Sequence, residues 1–178
     1  MSRGFEVIKK YAGQDINLPE RQTKHAAGYD FEASEDFVLP SIWKLNFIKI
    51  LRAIRKAENS SDEEIDLADK DLKPLLIPTG IKAYMEDDEY LMLANRSSNP
   101  LKRRMILPNG VGIIDADYYN NPANEGAIYF QMINYGLRDL KIKKGERIGQ
   151  GIFMKYLTAD NEKEITKSRE GGFGSTKK

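Results

Sequence analysis

The sequence predicts an all-β protein, a jelly roll or distorted barrel. Two observations carry this expectation. The apolar residues fall in many short runs separated by frequent Gly, Pro, Asn and Asp turn signals, which is how the strands of a barrel or sandwich read. Only one stretch, Trp43 to Ala57, spaces its apolar residues as a helix does. A length of 178 residues with 40% hydrophobic content suits a single packed domain.

Along the chain, Phe5 to Ile8 alternates and reads as a first strand, and Asn17-Leu18-Pro19 as loop. His25, the only histidine, reads as a loop residue without chemistry. A histidine metal cluster or a Ser-His-Asp triad within one chain is therefore close to excluded. Gly28 to Phe31 starts a strand, and Phe37-Val38-Leu39 is another, stopped by Pro40. Trp43, Phe47, Ile50, Ile54 and Ala57 then recur at helical spacing among Lys44, Lys49, Arg52, Arg55 and Lys56, with Ser41 as a candidate N-cap. An acidic run follows, from Asp62 to Asp71. Residues 41–73 thus read as an insertion in a β protein.

Strand patterning resumes with Leu75 to Ile81 as strand, turn and strand. Tyr90 to Ala94 is a buried strand ending at Arg96, and Asn99 to Lys102 is a single helical turn. Met105-Ile106-Leu107 enters a hairpin at Pro108-Asn109-Gly110, where Asn and Gly tolerate the positive φ that a tight turn needs. Val111, Ile113 and Ile114 read as a buried strand that delivers Asp115, Asp117, Tyr118 and Tyr119, before Asn120-Asn121-Pro122 breaks it. In an extended chain Asp115 and Asp117 share one face and Tyr118 takes the other, so spacing leaves the two carboxylates as competing candidates for a general base. Ala127 to Tyr135, Leu140 to Ile142 and Arg147 to Tyr156 complete the strands. After Thr158 the apolar content falls away, and the Gly- and Lys-rich tail cannot bury enough surface to order itself. The expected organisation is a β domain over 1–158, carrying the insertion, and a C-terminal arm over 159–178.

A formal net charge of +1 gives no global reason to expect nucleic acid or an anionic membrane as partner. No run approaches the apolar length of a membrane span. Met1 to Phe5 leads into a polar segment with no apolar signal core, so secretion is not implied. With no cysteine, disulfides and thiolate sites are excluded, which fits a reducing cytoplasm.

Five stretches stand out, in this order: Ala27-Gly28-Tyr29-Asp30-Phe31-Glu32-Ala33; Arg96-Ser97-Ser98; the 107–119 segment LPNGVGIIDADYY; Gly145-Glu146-Arg147-Ile148-Gly149-Gln150; and Arg169 to Thr176. Together they resemble the five motifs of the trimeric dUTPases, enzymes that split dUTP into dUMP and pyrophosphate. The resemblance runs from about Ala26 to Thr176, the insertion excepted. It implies a jelly-roll subunit, a homotrimer with sites formed between subunits, and Mg²⁺ held mainly by the substrate's phosphates, since Mg²⁺ keeps several waters.

Carried over by motif, the resemblance makes Asp115 the group that holds the deoxyribose 3′-OH and the attacking water. Tyr118 lies under the sugar and rejects a ribose hydroxyl, although a tyrosine in such a run is as readily a core residue. Asn109 and the Gly110-Val111-Gly112 backbone receive uracil. Ser97, with Ser98 beside it, donates to the α-phosphate region. Arg96 and Gln150 brace phosphates and neighbouring motifs, while Arg147 pairs with a carboxylate. Asp30 positions the hydration shell of the magnesium ion and contacts it only through water. In the tail, Phe173 stacks on the base, Gly171, Gly172 and Gly174 let the backbone wrap the nucleotide, and Arg169, Ser175 and Thr176 bind the β- and γ-phosphates. One residue, Glu170, separates Arg169 from the glycine pair where the family has two, and Lys177 stands where a glycine is usual. Lys177 or Lys178 is therefore an alternative contact for the γ-phosphate.

Two other functions compete. A dCTP deaminase of the same fold needs a glutamate in the strand after the hairpin, and Ala127 to Tyr135 contains none. A dUTPase-like regulator would bind a protein partner through the 41–73 insertion, where a Trp-Phe-Ile stripe lies among Lys and Arg.

Overall fold

A computed structural model describes residues 2–44, 51, 55, 66 and 73–163. Among them run eleven strands: β1 (Gly4–Val7), β2 (Tyr29–Glu32), β3 (Phe37–Leu39), β4 (Leu75–Pro78), β5 (Ile81–Tyr84), β6 (Glu89–Ala94), β7 (Met105–Ile106), β8 (Val111–Asp115), β9 (Tyr129–Asn134), β10 (Leu140–Ile142) and β11 (Arg147–Lys155). All pairings between strands are antiparallel. They form a four-stranded sheet in the order β2-β11-β6-β8, a three-stranded sheet β4-β9-β7, and the pairs β1-β5 and β10-β3. The all-β expectation holds, and β3 and β10 occupy the expected residues. Among the described residues no helix is long and apolar enough to cross a membrane.

The inward faces of the sheets meet in one core, with Phe31, Leu91, Leu93, Ile114, Phe130 and Ile148 at its centre. Strand β11 crosses this core with a register shift between Arg147 and Gly149. A Cβ on Gly149 would lie 2.0 Å from a ring carbon of Phe130, so the ring packs directly on the glycine backbone. Only a residue without a side chain allows that approach.

Three local expectations are corrected. The turn at 108–110 is real: Gly110 has φ 72° and its N–H donates to the Leu107 carbonyl at 3.1 Å. Yet it closes no hairpin, because β7 pairs with β9 while β8 pairs with β6. The turn is a corner that carries the chain from one sheet to the other. Next, β8 is not buried throughout: Ile114 is 6% exposed, but Val111 and Ile113 are 43% and 51% exposed. Successive strand residues alternate faces, and only the Ile114 face meets the core of this chain. Finally, Ser41 does not cap a helix. It bridges to Asn134, its Oγ donates to the Gly136 carbonyl, and its N–H donates to Asp139. The expected helix of the insertion lies mostly outside the described residues, of which Leu51 and Arg55 are helical.

Candidate active site

Three of the five motifs meet at Asp30. Its side chain, 12% exposed, accepts from Arg96 Nε at 3.0 Å and from Arg147 Nη1 at 3.2 Å. The sheet explains the meeting. Asp30 on β2 is opposite Gln150 on β11, Gln150 is opposite Ala94 on β6, and Asn95 and Arg96 follow at the end of that strand. Gln150 Nε2 donates to the Asn95 carbonyl at 3.0 Å, fastening the strand end. A Cβ on Gly28 would lie 2.3 Å from Gln150 Oε1. The glycine of the first motif therefore leaves room for the glutamine of the fourth. One carboxylate between two guanidiniums leaves this corner with surplus positive charge, which suits an anion such as a phosphate chain.

The serine loop starts from the same corner. The Asn99 N–H donates to the Arg96 carbonyl at 3.0 Å, turning the chain through exposed Ser97 and half-buried Ser98. Asn99 is fully buried, and its Nδ2 donates to Asn95 Oδ1 at 2.7 Å and to the Ile148 carbonyl at 2.8 Å. Asn99 and Asn95 thus hold the serines against β11. Sequence reading missed both residues, because an Asn-Pro step announces only a turn.

Asp115 stands elsewhere. It ends β8 opposite Tyr90, half-buried, and the chain then coils into a 3-10 turn, Ala116–Tyr118. The extended-chain comparison of Asp115 with Asp117 therefore does not apply. The coil leaves Asp117 exposed and turns Tyr118 inward. Tyr118 is 3% exposed and belongs to the core; its hydroxyl donates to the Ala127 carbonyl at 3.2 Å and accepts from Asn124 Nδ2 at 2.7 Å. Within this chain the ring packs into the core and is anchored at its hydroxyl. Asn109 and Gly110 lie exposed at the corner turn, and Gly112 pairs with Leu93, whose Cβ would lie 3.3 Å from an added Cβ.

Residues paired across strands point to the same face, so Asp30, Gln150 and Asp115 share one face of the four-stranded sheet. Between them, on that face, lie Met92, Val111, Ile113, Ile152 and Met154. The opposite face is the core. Asp115 pairs four residues back along β6 from the Ala94 row that holds Gln150, roughly 13 Å at the rise of a strand.

Among the described residues no group of three or more His, Cys, Asp or Glu side chains could hold a metal ion. Asp30, with both oxygens engaged by arginines, is suited to a partner that brings its own ligands. Arg169, Phe173, Gly174, Ser175 and Thr176 lie outside the described residues. Strand β9 carries no glutamate. Glu125, in the turn before it, is bound by Lys82 Nζ at 2.9 Å and by the Lys9 N–H at 2.9 Å.

The dUTPase family model matches residues 63–177. The deoxyuridine 5′-triphosphate nucleotidohydrolase of Lactococcus lactis is 44% identical over 175 residues, covering 98% of this chain and 97% of its own. The Rickettsia felis enzyme of the same name is 30% identical, covering 95% and 94%. Among solved structures, dUTPase from Streptococcus mutans superposes with a TM-score of 0.68 at 38% identity, over 89% of this chain and 99% of that one. A D95N mutant dUTPase from phage phi11 of S. aureus, described as coordinating a structural Mg(II) ion, shares the fold with a TM-score of 0.61 at 14% identity, over 94% and 98%. With a family match over most of its length and a relative this similar from end to end, the chain belongs to the dUTPase family.

Proposed function

We propose that this protein hydrolyses dUTP to dUMP and pyrophosphate, by attack of water at the α-phosphorus, within a homotrimer. The observation that carries this reading is the arrangement of one sheet face. A cationic corner built on Asp30 and a carboxylate corner built on Asp115 flank an uncovered apolar strip.

In this strip Val111, Ile113 and Met154 are exposed and Met92 and Ile152 half-buried, and such a surface must be covered to gain from the hydrophobic effect. A second copy of the chain laid on it shields the strip and brings Asp115 of one subunit towards the Asp30 corner of another. The site is then made between subunits, which is why its residues are scattered in each.

In this site Arg96, Ser97 and Ser98 bind the phosphates, and Asp30 holds Arg96 and Arg147 in place. Gln150 fixes the strand end from which they project. Asn109 and the Gly112 backbone take the uracil. Asp115 accepts a hydrogen bond from the attacking water and orients it; a general base of this kind contributes about 10²–10⁴-fold. Tyr118, anchored at its hydroxyl, forms the floor beneath the sugar. The tail residues Arg169, Phe173, Gly174, Ser175 and Thr176 close over the nucleotide. A magnesium ion carried by the phosphates would supply charge neutralisation for the leaving pyrophosphate, with Asp30 the residue that would hold its water shell. Release of pyrophosphate from dUTP, dCTP and UTP tests the reading. It stands if dUTP is turned over far faster than UTP, and falls if dCTP is deaminated or if dUTP is untouched.

A further inference from the structure

Lys82, on β5, is 7% exposed. Its Nζ donates to Asn120 Oδ1 at 2.8 Å and to Glu125 Oε1 at 2.9 Å, lies 3.4 Å from Glu6 Oε2, and sits 5.1 Å from the centre of the Tyr119 ring. Tyr119 Oη closes the cluster by donating to Glu6 Oε2 at 2.8 Å. Burial pushes the ammonium towards losing its proton, but the hydrogen bond and charge of Glu125, then Tyr119 and Glu6, outweigh it and hold the pKa above the ordinary lysine value. A buried ion cluster is a poor device for stability alone, because apolar residues of similar volume commonly do as well or better.

What Lys82 grips is specific. Its two hydrogen bonds end on Asn120 and Glu125, which have φ of 56° and 62°. Non-glycine residues seldom adopt this left-handed region, and it is held only where the surroundings impose it. These two residues bound the loop that follows the Asp115 turn. The loop is tied directly to Tyr118: Asn121 N–H donates to the Tyr118 carbonyl at 3.2 Å, Asn124 Nδ2 to its hydroxyl at 2.7 Å, and an added Cβ on Gly126 would lie 2.6 Å from that carbonyl.

We infer that Lys82 is a positioning residue: by holding both ends of the 120–125 loop it fixes Tyr118, and with it the Asp115 turn, in the geometry that selects deoxyribose. The inference rests on the dUTP reading above. Its expected signature is loss of sugar discrimination rather than loss of fold.

The test compares wild type with Lys82→Met and Glu125→Gln, measuring kcat and KM for dUTP and UTP, the melting temperature, and amide exchange over residues 116–127. In Lys82→Met the dUTP-to-UTP preference in kcat/KM should fall about tenfold or more, and the Asn121, Glu125 and Ala127 amides should exchange faster. Glu125→Gln, which keeps an acceptor but removes the charge, should fall between and decides the matter if Lys82→Met does not fold. Unchanged preference in a folded variant, or equal losses for both nucleotides, overturns the inference. If wild type does not hydrolyse dUTP, it is the function that fails, and exchange at 116–127 alone decides whether Lys82 holds the loop: unchanged protection in the variants overturns that role.

Discussion

Asp30 and Asp115 share one face of the four-stranded sheet and stand at opposite corners of it, Asp30 in the row Gln150, Ala94 and Val111, Asp115 in the row of Tyr90. The two stand too far apart on that face to serve one site within one chain, so under the proposed assembly each site takes them from different copies. Asp115→Asn and Asp30→Asn subunits, each inactive alone, should complement when unfolded and refolded together. If each site draws the two carboxylates from different subunits, random mixing restores both to about a quarter of sites. Activity of the mixture no higher than either parent would place both groups of one site in one chain.

Asp115→Asn on its own should keep nucleotide affinity and lose about 10²-fold or more in kcat. The asparagine still accepts at the 3′-OH but cannot take a proton from water. Isothermal titration with a non-hydrolysable dUTP analogue and steady-state turnover read the two effects separately. Turnover like wild type's would move the base to exposed Asp117.

Gly28→Ala tests how the first and fourth motifs fit. The added methyl would lie 2.3 Å from Gln150 Oε1, the mobile end of a side chain. The chain should fold, with Gln150 displaced and its hydrogen bond to the Asn95 carbonyl lost, so turnover should fall while the melting temperature moves by only a few degrees. Gly149→Ala is the contrast. Its methyl would strike the Phe130 ring in the core, and overpacking of that kind costs about 1–3 kcal/mol. Equal destabilisation of the two variants would count against the separate roles given to the glycines.

The division between what the sequence reveals and what it hides follows the range of the interaction. Strand and turn signals are local, so β3, β10 and the Gly110 turn lie where patterning puts them. Partner choice is not local. The Asp30 to Arg147 ion pair spans 117 residues of sequence, and the strands on either side of the Gly110 turn pair with β9 and β6 instead of with each other. Val111 and Ile113 read as core because their outward face is apolar. Period-2 alternation cannot tell a face covered by this chain from one left for another. The motif gives the residue type of Tyr118 but not the 3-10 turn that drops its ring into the core.

Acid stability should depend on Glu89. It is 4% exposed and accepts from Arg3 Nη2 at 2.6 Å and from Nε at 2.9 and 3.1 Å; this pairing, opposed by burial and helped by the Glu86 N–H, holds its pKa below the ordinary value. A carboxylate with a depressed folded pKa stabilises above its unfolded value, about 4.3, and that contribution is lost as pH falls through the lower folded value. Arg3→Ala should therefore destabilise the protein near neutrality and flatten the loss of stability below about pH 4. Urea melts from pH 3 to 7 measure both. An identical acid limb in the variant would remove Glu89 from the account.

The insertion is expected to be dispensable for hydrolysis, but its boundary is not where the sequence pattern changes. Residues 41–44 belong to the barrel. Ile42 N–H donates to the Asn134 carbonyl at 2.9 Å, Trp43 Nε1 to the Tyr135 carbonyl at 2.9 Å, and Lys44 Nζ to Asp139 Oδ2 at 2.9 Å, beside the buried Ser41. The Ile42 and Trp43 bonds to main-chain carbonyls are each worth about 1 kcal/mol net, and more where a buried partner is stranded. Replacing 45–72 with a Gly-Ser linker that spans the gap should therefore leave trimer and dUTP turnover intact. Extending the cut to 41–72 should lower the melting temperature by stranding the Asn134 and Gly136 carbonyls and the Asp139 carboxylate. Trp43, the only tryptophan, reports on the doorway in the shorter variant: its emission should match the intact protein. A 45–72 replacement that assembles as a trimer yet loses turnover would make the insertion part of the active site.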